Sequence, residues 1–395
     1  MVFSDKACLI GTAKDAIAGK GSVIHGGYKL DPNAQCTYTS RYPGKSQVPL
    51  LNRVYFSRMR AIHHLYMSYR DACRMLGEGP VQILVLGAGF DTAFNSGSAP
   101  VFLVDYPEVI QERMSRNIDV GASSVTLVGG DLCQPEALFA ALLDHGLKVH
   151  SPTLVLLESV LAYLPPPSAR TLLQMLATRL THAAGVLYDP VLPTERACPL
   201  HRCSNALRET FAARHVPLLS VQPSCLSLCK FLRDCGMQHV MALSVQEAMH
   251  VLAGCGGGGV AAEGSGERAA STGIVDDTYP DKSRTIVKGK GFEAPEVFDE
   301  FAALASLQQM YAVSWFGSGC GAVLFDCWTK NFFGKSACHI EDSSTRRPAD
   351  KASSNGDGIA CLLPGGRARL QALERRLRSL EMRTSPPEMT DTHSR

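Results

Sequence analysis

The chain has 395 residues, 45% of them hydrophobic, with a formal charge of +2. That length buries a full core as one large domain with extensions, and the near-neutral charge gives no general electrostatic drive toward nucleic acid or a membrane surface. No apolar run approaches the roughly 18 residues of a membrane span, and residues 1–18 lack a signal-peptide layout, so a cytoplasmic protein is expected. The fourteen cysteines include no C-x-x-C pair, and Cys225 and Cys229 lack a second ligand pair at zinc spacing. They read as reduced core thiols, with no metal site.

In chain order, Gly26-Gly27-Tyr28, Asp31-Pro32 and Asn52 to Arg60 lead into an apolar helical pattern through Leu65, Tyr69 and Cys73. Residues 1–80 therefore read as a helical cap over a cleft. Gln82 to Leu86 is a buried strand that ends in Gly87-Ala88-Gly89-Phe90-Asp91-Thr92, a turn whose glycines let the backbone approach a nucleotide-like ligand. Asp91 reads as the cap of a following helix. The strand Val101 to Val104 ends on Asp105, placed to accept ribose hydroxyls. Val125 to Val128 ends at Gly129-Gly130-Asp131-Leu132, suited to an adenine amino group and an apolar wall. Thr153 to Leu157 ends on Glu158. Four polar residues at successive strand ends point to one ligand cleft, since open α/β sheets bind ligands there.

A helix over 168–181 and a strand at Val186-Leu187-Tyr188 continue the alternation, which implies a parallel sheet with helices on both faces. Helical stretches at 204–214 and 225–235 precede a strand from His239 to Leu243. The Gly-rich residues 254–291 read as a flexible insertion. A helix from Pro295 to about Met310 and a strand from Ala322 to Cys327 then close the sheet. The methyltransferase domain is thus read as 81–330, and 331–395 as a polar tail with a short amphipathic helix carrying Leu370, Leu373 and Leu377. The fold class is α/β, a seven-stranded, mostly parallel Rossmann-like sheet of the class I S-adenosylmethionine-dependent methyltransferases with an N-terminal helical cap.

The motifs Gly87 to Thr92, Val104-Asp105-Tyr106-Pro107, Gly130-Asp131-Leu132 and Pro152 to Leu164 resemble the leucine carboxyl methyltransferase family, as do Gly27-Tyr28 with Asp31-Pro32 and Asn52 to Arg58. The resemblance covers about residues 15–330. It implies an enzyme that uses S-adenosylmethionine to methylate the C-terminal leucine carboxylate of the protein phosphatase 2A catalytic subunit, acting as a monomer on both the folded phosphatase and its tail. It implies that Arg58, Gly87, Asp105, Asp131, Leu132 and Glu158 contact the cofactor. Lys20 and Tyr163 would lie near its methionine end and the incoming carboxylate, with Arg58 and Tyr163 as the catalytic pair. His63 and His64 read as structural. Val54, Lys29 and Ser159 depart from the family pattern. Two other readings stay open: the related carboxyl methyltransferase of tRNA wybutosine synthesis, and an inactive phosphatase-binding relative.

Overall fold

In the computed structural model, the described residues are 6–28, 47–78, 81–94, 99–119, 122–254, 300–319 and 322–333. They form a seven-stranded sheet in the order β3-β2-β1-β4-β5-β7-β6. The strands are β1 (Gln82–Leu86), β2 (Val101–Asp105), β3 (Val125–Gly129), β4 (Thr153–Glu158), β5 (Ala183–Pro190), β6 (His239–Ser244) and β7 (Tyr311–Ser318). The pairs β1–β2, β2–β3, β1–β4 and β4–β5 are parallel, while β7 runs antiparallel to both β5 and β6. This is the class I methyltransferase sheet, with its reversed strand inserted between the fifth and sixth.

Strand alternation divides the core into two faces. Leu84, Leu86, Val155, Leu157 and Phe316 pack on one, under α4 (Pro135–Asp144), α5 (Pro166–Arg179) and α7 (Cys225–Asp234). Ile83, Val85, Leu154, Leu156 and Trp315 pack on the other, under α2 (Pro49–Met75), α8 (Val245–Gly254) and α10 (Ala322–Phe333). The helices α2, α3 (Pro107–Ser115), α4 and α5 each open on a proline. Its missing N–H is lost where no intrahelical bond would form, and its fixed φ suits the first turn.

The last strand lies ahead of its expected position. Ala322 to Cys327 is helical, and the closing strand is Tyr311–Ser318. A six-residue apolar run cannot separate a period of 2 from one of 3.6. Over twelve residues the pattern declares itself: Leu324, Phe325, Trp328 and Phe332 are buried at helical spacing, and the Trp328 indole donates to the Leu65 carbonyl of α2 at 2.9 Å. The strand has the β-branched and aromatic run Ala312-Val313-Ser314-Trp315-Phe316, buried throughout.

The N-terminal helices have different roles. α1 (Lys6–His25) runs beside the sheet's ligand edge, where Ile17 packs with Phe90 and Val109. α2 begins at that edge and then lies along the sheet, burying Ala61, Ile62, Leu65, Tyr69, Ala72 and Cys73 in the core. Residues 255–299 and 334–395, which include the expected insertion and amphipathic tail, lie outside the described residues, as does Asp31-Pro32.

Candidate active site

A cavity of about 380 Å³ opens at the C-terminal ends of the parallel strands, within the size range of small-molecule sites. Its walls come from α1 (Ile17, Lys20), α2 (Tyr55, Arg58), the glycine turn, Asp105, Gly130, Leu132 and Glu158. Tyr163, Tyr188, Phe211 and Tyr311 also line it, and among the described residues no histidine does. His63 and His64 lie elsewhere on α2, and the His64 ring meets Phe332 edge-on at 5.3 Å. Among the described residues no group of three or more His, Cys, Asp or Glu is placed to hold a metal, and nine described cysteines are free thiols.

The glycine turn is built for close approach. Gly87 and Gly89 have φ of 69° and 52°, left-handed values that disfavour side chains. A Cβ at Gly87 would stand 2.6 Å from Cγ2 of Val160. Asp105 at the end of β2 ties the turn to the sheet. Its Oδ2 accepts the Gly89 N–H and its Oδ1 the Tyr106 N–H, both at 2.7 Å. Burial raises the Asp105 pKa, opposed by these two N–H groups and by Arg113. Arg113 is fully buried and donates to the carbonyls of Gly89 (2.7 Å) and Asp91 (3.0 Å), with Asp119 as its counter-ion. Asp131 turns back on its own loop, where its Oδ1 accepts the Cys133 N–H at 2.9 Å. Its neighbours Gly130 and Leu132 line the cavity, and Asp131 itself is not among the lining residues.

Four charges fill the opposite wall. Glu158 accepts from the Lys20 ammonium (2.7 Å) through Oε2 and from Arg58 Nε through Oε1, and Lys20 also bonds Asp91. Residues 91–94 form no helix: Asp91 Oδ1 accepts the Ala93 N–H at 2.9 Å within a turn, and Oδ2 pairs with a lysine 71 residues away. Burial opposes the charge of Glu158, but Arg58 and Lys20 outweigh it and hold the carboxyl down at about 2. Burial likewise opposes the charge of Lys20, and Asp91 and Glu158 outweigh it. Arg58 spends Nε on Glu158, and among the described residues its two Nη nitrogens make no hydrogen bond. Its guanidinium carbon lies 5.0 Å from the ring of Tyr188 and 5.8 Å from that of Tyr55, an aromatic seat that suits the planar cation.

The tyrosines continue around the wall. Tyr188 stacks on Tyr311 at 5.4 Å, and Tyr163 tilts against Phe211 at 6.0 Å. Burial raises the pKa of Tyr163, Tyr188 and Tyr311. They stay protonated and line the cleft with apolar rings that each carry a hydroxyl.

These features fit S-adenosylmethionine. A carboxylate at a strand end, a Cβ-free turn, an apolar wall at Leu132 and a charged wall opposite match its ribose, backbone approach, adenine and methionine in turn. The model of the leucine carboxyl methyltransferase family matches residues 28–177. This stretch is similar to that family. The sheet order and this match agree with an S-adenosylmethionine-dependent methyltransferase fold. Human tRNA wybutosine-synthesizing protein 4 is 31% identical over 217 residues, 47% of this chain. The chain spans only 31% of that protein's length, and 26% of its rat counterpart's. Bovine leucine carboxyl methyltransferase 1 is 24% identical over 340 residues, covering 78% of this chain and 89% of the bovine protein. The Arabidopsis thaliana homolog of that enzyme is 26% identical over 60% of this chain and 77% of its own.

Of the sequence-predicted site residues, Lys20, Arg58, Gly87, Asp105, Leu132, Glu158 and Tyr163 all line the one cavity. Tyr55, Tyr188 and Tyr311 were not singled out. A signal exists for Tyr188, which stands in β5 as the register partner of Glu158 in β4. Tyr311 was hidden by the misplacement of the last strand.

Proposed function

We propose that the protein transfers the methyl group of S-adenosylmethionine to the free α-carboxylate of the C-terminal leucine of the protein phosphatase 2A catalytic subunit, giving a methyl ester. The observation that carries this reading is the Arg58 guanidinium, held by Glu158 through Nε, with an Nη edge that bonds nothing among the described residues and faces a cleft without histidine. An arginine edge takes a carboxylate by two parallel charge-assisted bonds. An α-carboxyl has a pKa near 3.5, so such an acceptor arrives ionised and needs no general base.

S-adenosylmethionine supplies the methyl on a cationic sulfur. The residues of this chain do the rest. Asp105 and the glycine turn fix the ribose end, and Lys20 with the charged wall faces the methionine end. The tyrosine-lined wall keeps water from the carboxylate oxygen while Arg58 orients it, so the work is alignment and desolvation. Lys20, Arg58, Asp91 and Glu158 balance to zero, so an anion is received by directed N–H groups and not by a net positive field. The match to the bovine leucine carboxyl methyltransferase spans most of both chains, which supports this acceptor.

The stronger identity to tRNA wybutosine-synthesizing protein 4 favours a second reading, methylation of a carboxyl group on a tRNA base. One assay separates them. Labelled methyl is followed into purified phosphatase catalytic subunit, into the same subunit lacking its final leucine, and into tRNA. The proposal expects alkali-labile label in the first alone. Equal labelling of both phosphatase forms, or base-stable label, would sink it, and label in tRNA would install the second reading.

A further inference from the structure

Asp189, the second-last residue of β5, takes no part in the scheme above. It is 5% exposed, and its Oδ2 accepts the Leu161 N–H at 3.1 Å. The Ala162 and Val160 N–H groups lie near enough to favour its charge, whereas among the described residues Oδ1 has no hydrogen-bond partner. These three N–H groups belong to the segment that leaves Glu158 and carries Val160 and Tyr163 into the cleft wall. The segment begins in a left-handed conformation, Ser159 at φ 56°, and it needs holding from outside. The Ser159 N–H bonds the Tyr188 carbonyl at 2.6 Å, and the Ala162 carbonyl accepts the N–H of Leu219 at 2.6 Å. Asp189 supplies the grip on the sheet side.

We propose that Asp189 is a positioning residue: its carboxylate holds the Leu161 N–H, at the centre of the 160–163 segment, and so sets Tyr163 and Val160 against the cofactor turn. Val160 is the side chain that a Cβ at Gly87 would strike, so a shift of this segment is felt where the ligand's ribose and methionine meet.

The carboxyl is also titratable near neutrality. Burial pushes it up to about 7, against the pull of the Ala162 and Leu161 N–H groups and of Arg58. The groups that face it are Arg58 from α2, Tyr163 from the turn and Tyr311 from β7. The two tyrosines stay neutral and Arg58 stays charged across the range, so Asp189 is the group that changes state. Ionised, it holds the Leu161 N–H by a charge-assisted bond and attracts the neighbouring Ala162 and Val160 N–H groups. Protonated, it loses acceptor strength and the segment loosens.

The inference rests on the cofactor cleft and not on the acceptor. Its test therefore uses S-adenosylhomocysteine, by calorimetric titration of the full chain from pH 6 to 8. The wild type is expected to bind about threefold to tenfold more weakly at pH 6 than at pH 8, equivalent to a shift of about half a unit to one unit in the Asp189 pKa on binding. Asp189→Asn keeps one carbonyl acceptor and should remove that difference. Parallel profiles in the two proteins would overturn the proposal, as would an Asn variant with a lowered melting temperature and an unchanged pH slope. Should the variant fail to fold, a wild-type profile without an inflection near 7 overturns it alone. Absence of label in the phosphatase would leave this result untouched.

Discussion

The two halves of the sheet hold their site residues by different means. On the β3-β2-β1 side the functional groups are tied to nearby backbone: Asp105 to Gly89 and Tyr106, Asp131 to Cys133. On the β4-β5-β7 side they are tied across the chain: Glu158 to residues 138 and 100 positions away, and Arg58 to the ring of Tyr188. Local ties make a motif that can be read along the sequence and that tolerates change elsewhere. Long-range ties make a site whose members fail together.

The sharpest way to break the comparison is Glu158→Gln. Lys20 and Arg58, with side chains 4% and 13% exposed, would lose their shared counter-ion, and uncovering buried cations costs about 3 to 5 kcal/mol. Chemical denaturation should show that loss, together with abolished transfer. A drop under about 1 kcal/mol would mean that the wall is solvated and not coupled.

Gly87→Ala tests the local side. The left-handed φ and the Val160 contact together cost about 1 to 3 kcal/mol and should weaken cofactor binding severely. Val160→Ala in that background removes the contact but not the backbone strain, so it should recover part of the affinity. Asp105→Ala should weaken S-adenosylmethionine binding by about 1.5 to 3 kcal/mol, the cost of losing hydrogen bonds to a charged group, with the fold retained. Unchanged affinity by calorimetry would displace the ribose from this strand end.

Arg58→Lys keeps the charge and removes the planar edge. We expect transfer to fall at least about tenfold, or about 1.4 kcal/mol, and cofactor affinity to fall less. Near-native turnover in a folded variant would remove Arg58 from the acceptor's path. The smallest effect belongs to the exposed Lys6–Glu108 pair, where Lys6→Ala should leave the melting temperature unchanged.

Stability against pH separates the two buried carboxyls. Glu158 sits at about 2, below the ordinary 4.5, so its contribution is complete above about 4.5 and is lost as pH falls toward 2. Asp189 sits at about 7, above the ordinary 3.8. Its sign is opposite: the folded form binds the extra proton, and stability declines as pH rises from about 4 to about 7. Melting of the ligand-free protein should follow both slopes, and Asp189→Asn should erase only the second.

The same division explains what the sequence disclosed. Each of β1 to β4 is a short apolar run that ends in a glycine turn or a polar residue, so these strands and the cavity-lining Gly87, Asp105, Leu132 and Glu158 at their ends are legible in the sequence. Asp91 reads as a cap from its local bond to the Ala93 N–H, while its ionic partner Lys20 lies in another element. The quartet's internal pairing was invisible for the same reason. The family resemblance placed Arg58 and Glu158 together, but that they bind each other belongs to the fold. Ala322 to Cys327 was misread because its burial pattern needs α2 as the opposing surface, and Trp328, which anchors it, falls just past the window.

The reversed strand also sets an order of assembly. Gly185 in β5 leaves room for the Phe316 ring, since a Cβ there would lie 2.1 Å from it, and the two residues are register partners 131 positions apart. During synthesis the Rossmann-like half, with the glycine turn and Asp105, has every strand it needs long before residue 316 leaves the ribosome. The wall with Tyr311 must wait for a late, high-separation pairing, a slow step in folding. The nascent protein thus possesses its nucleotide-binding edge well before it possesses a closed reaction chamber.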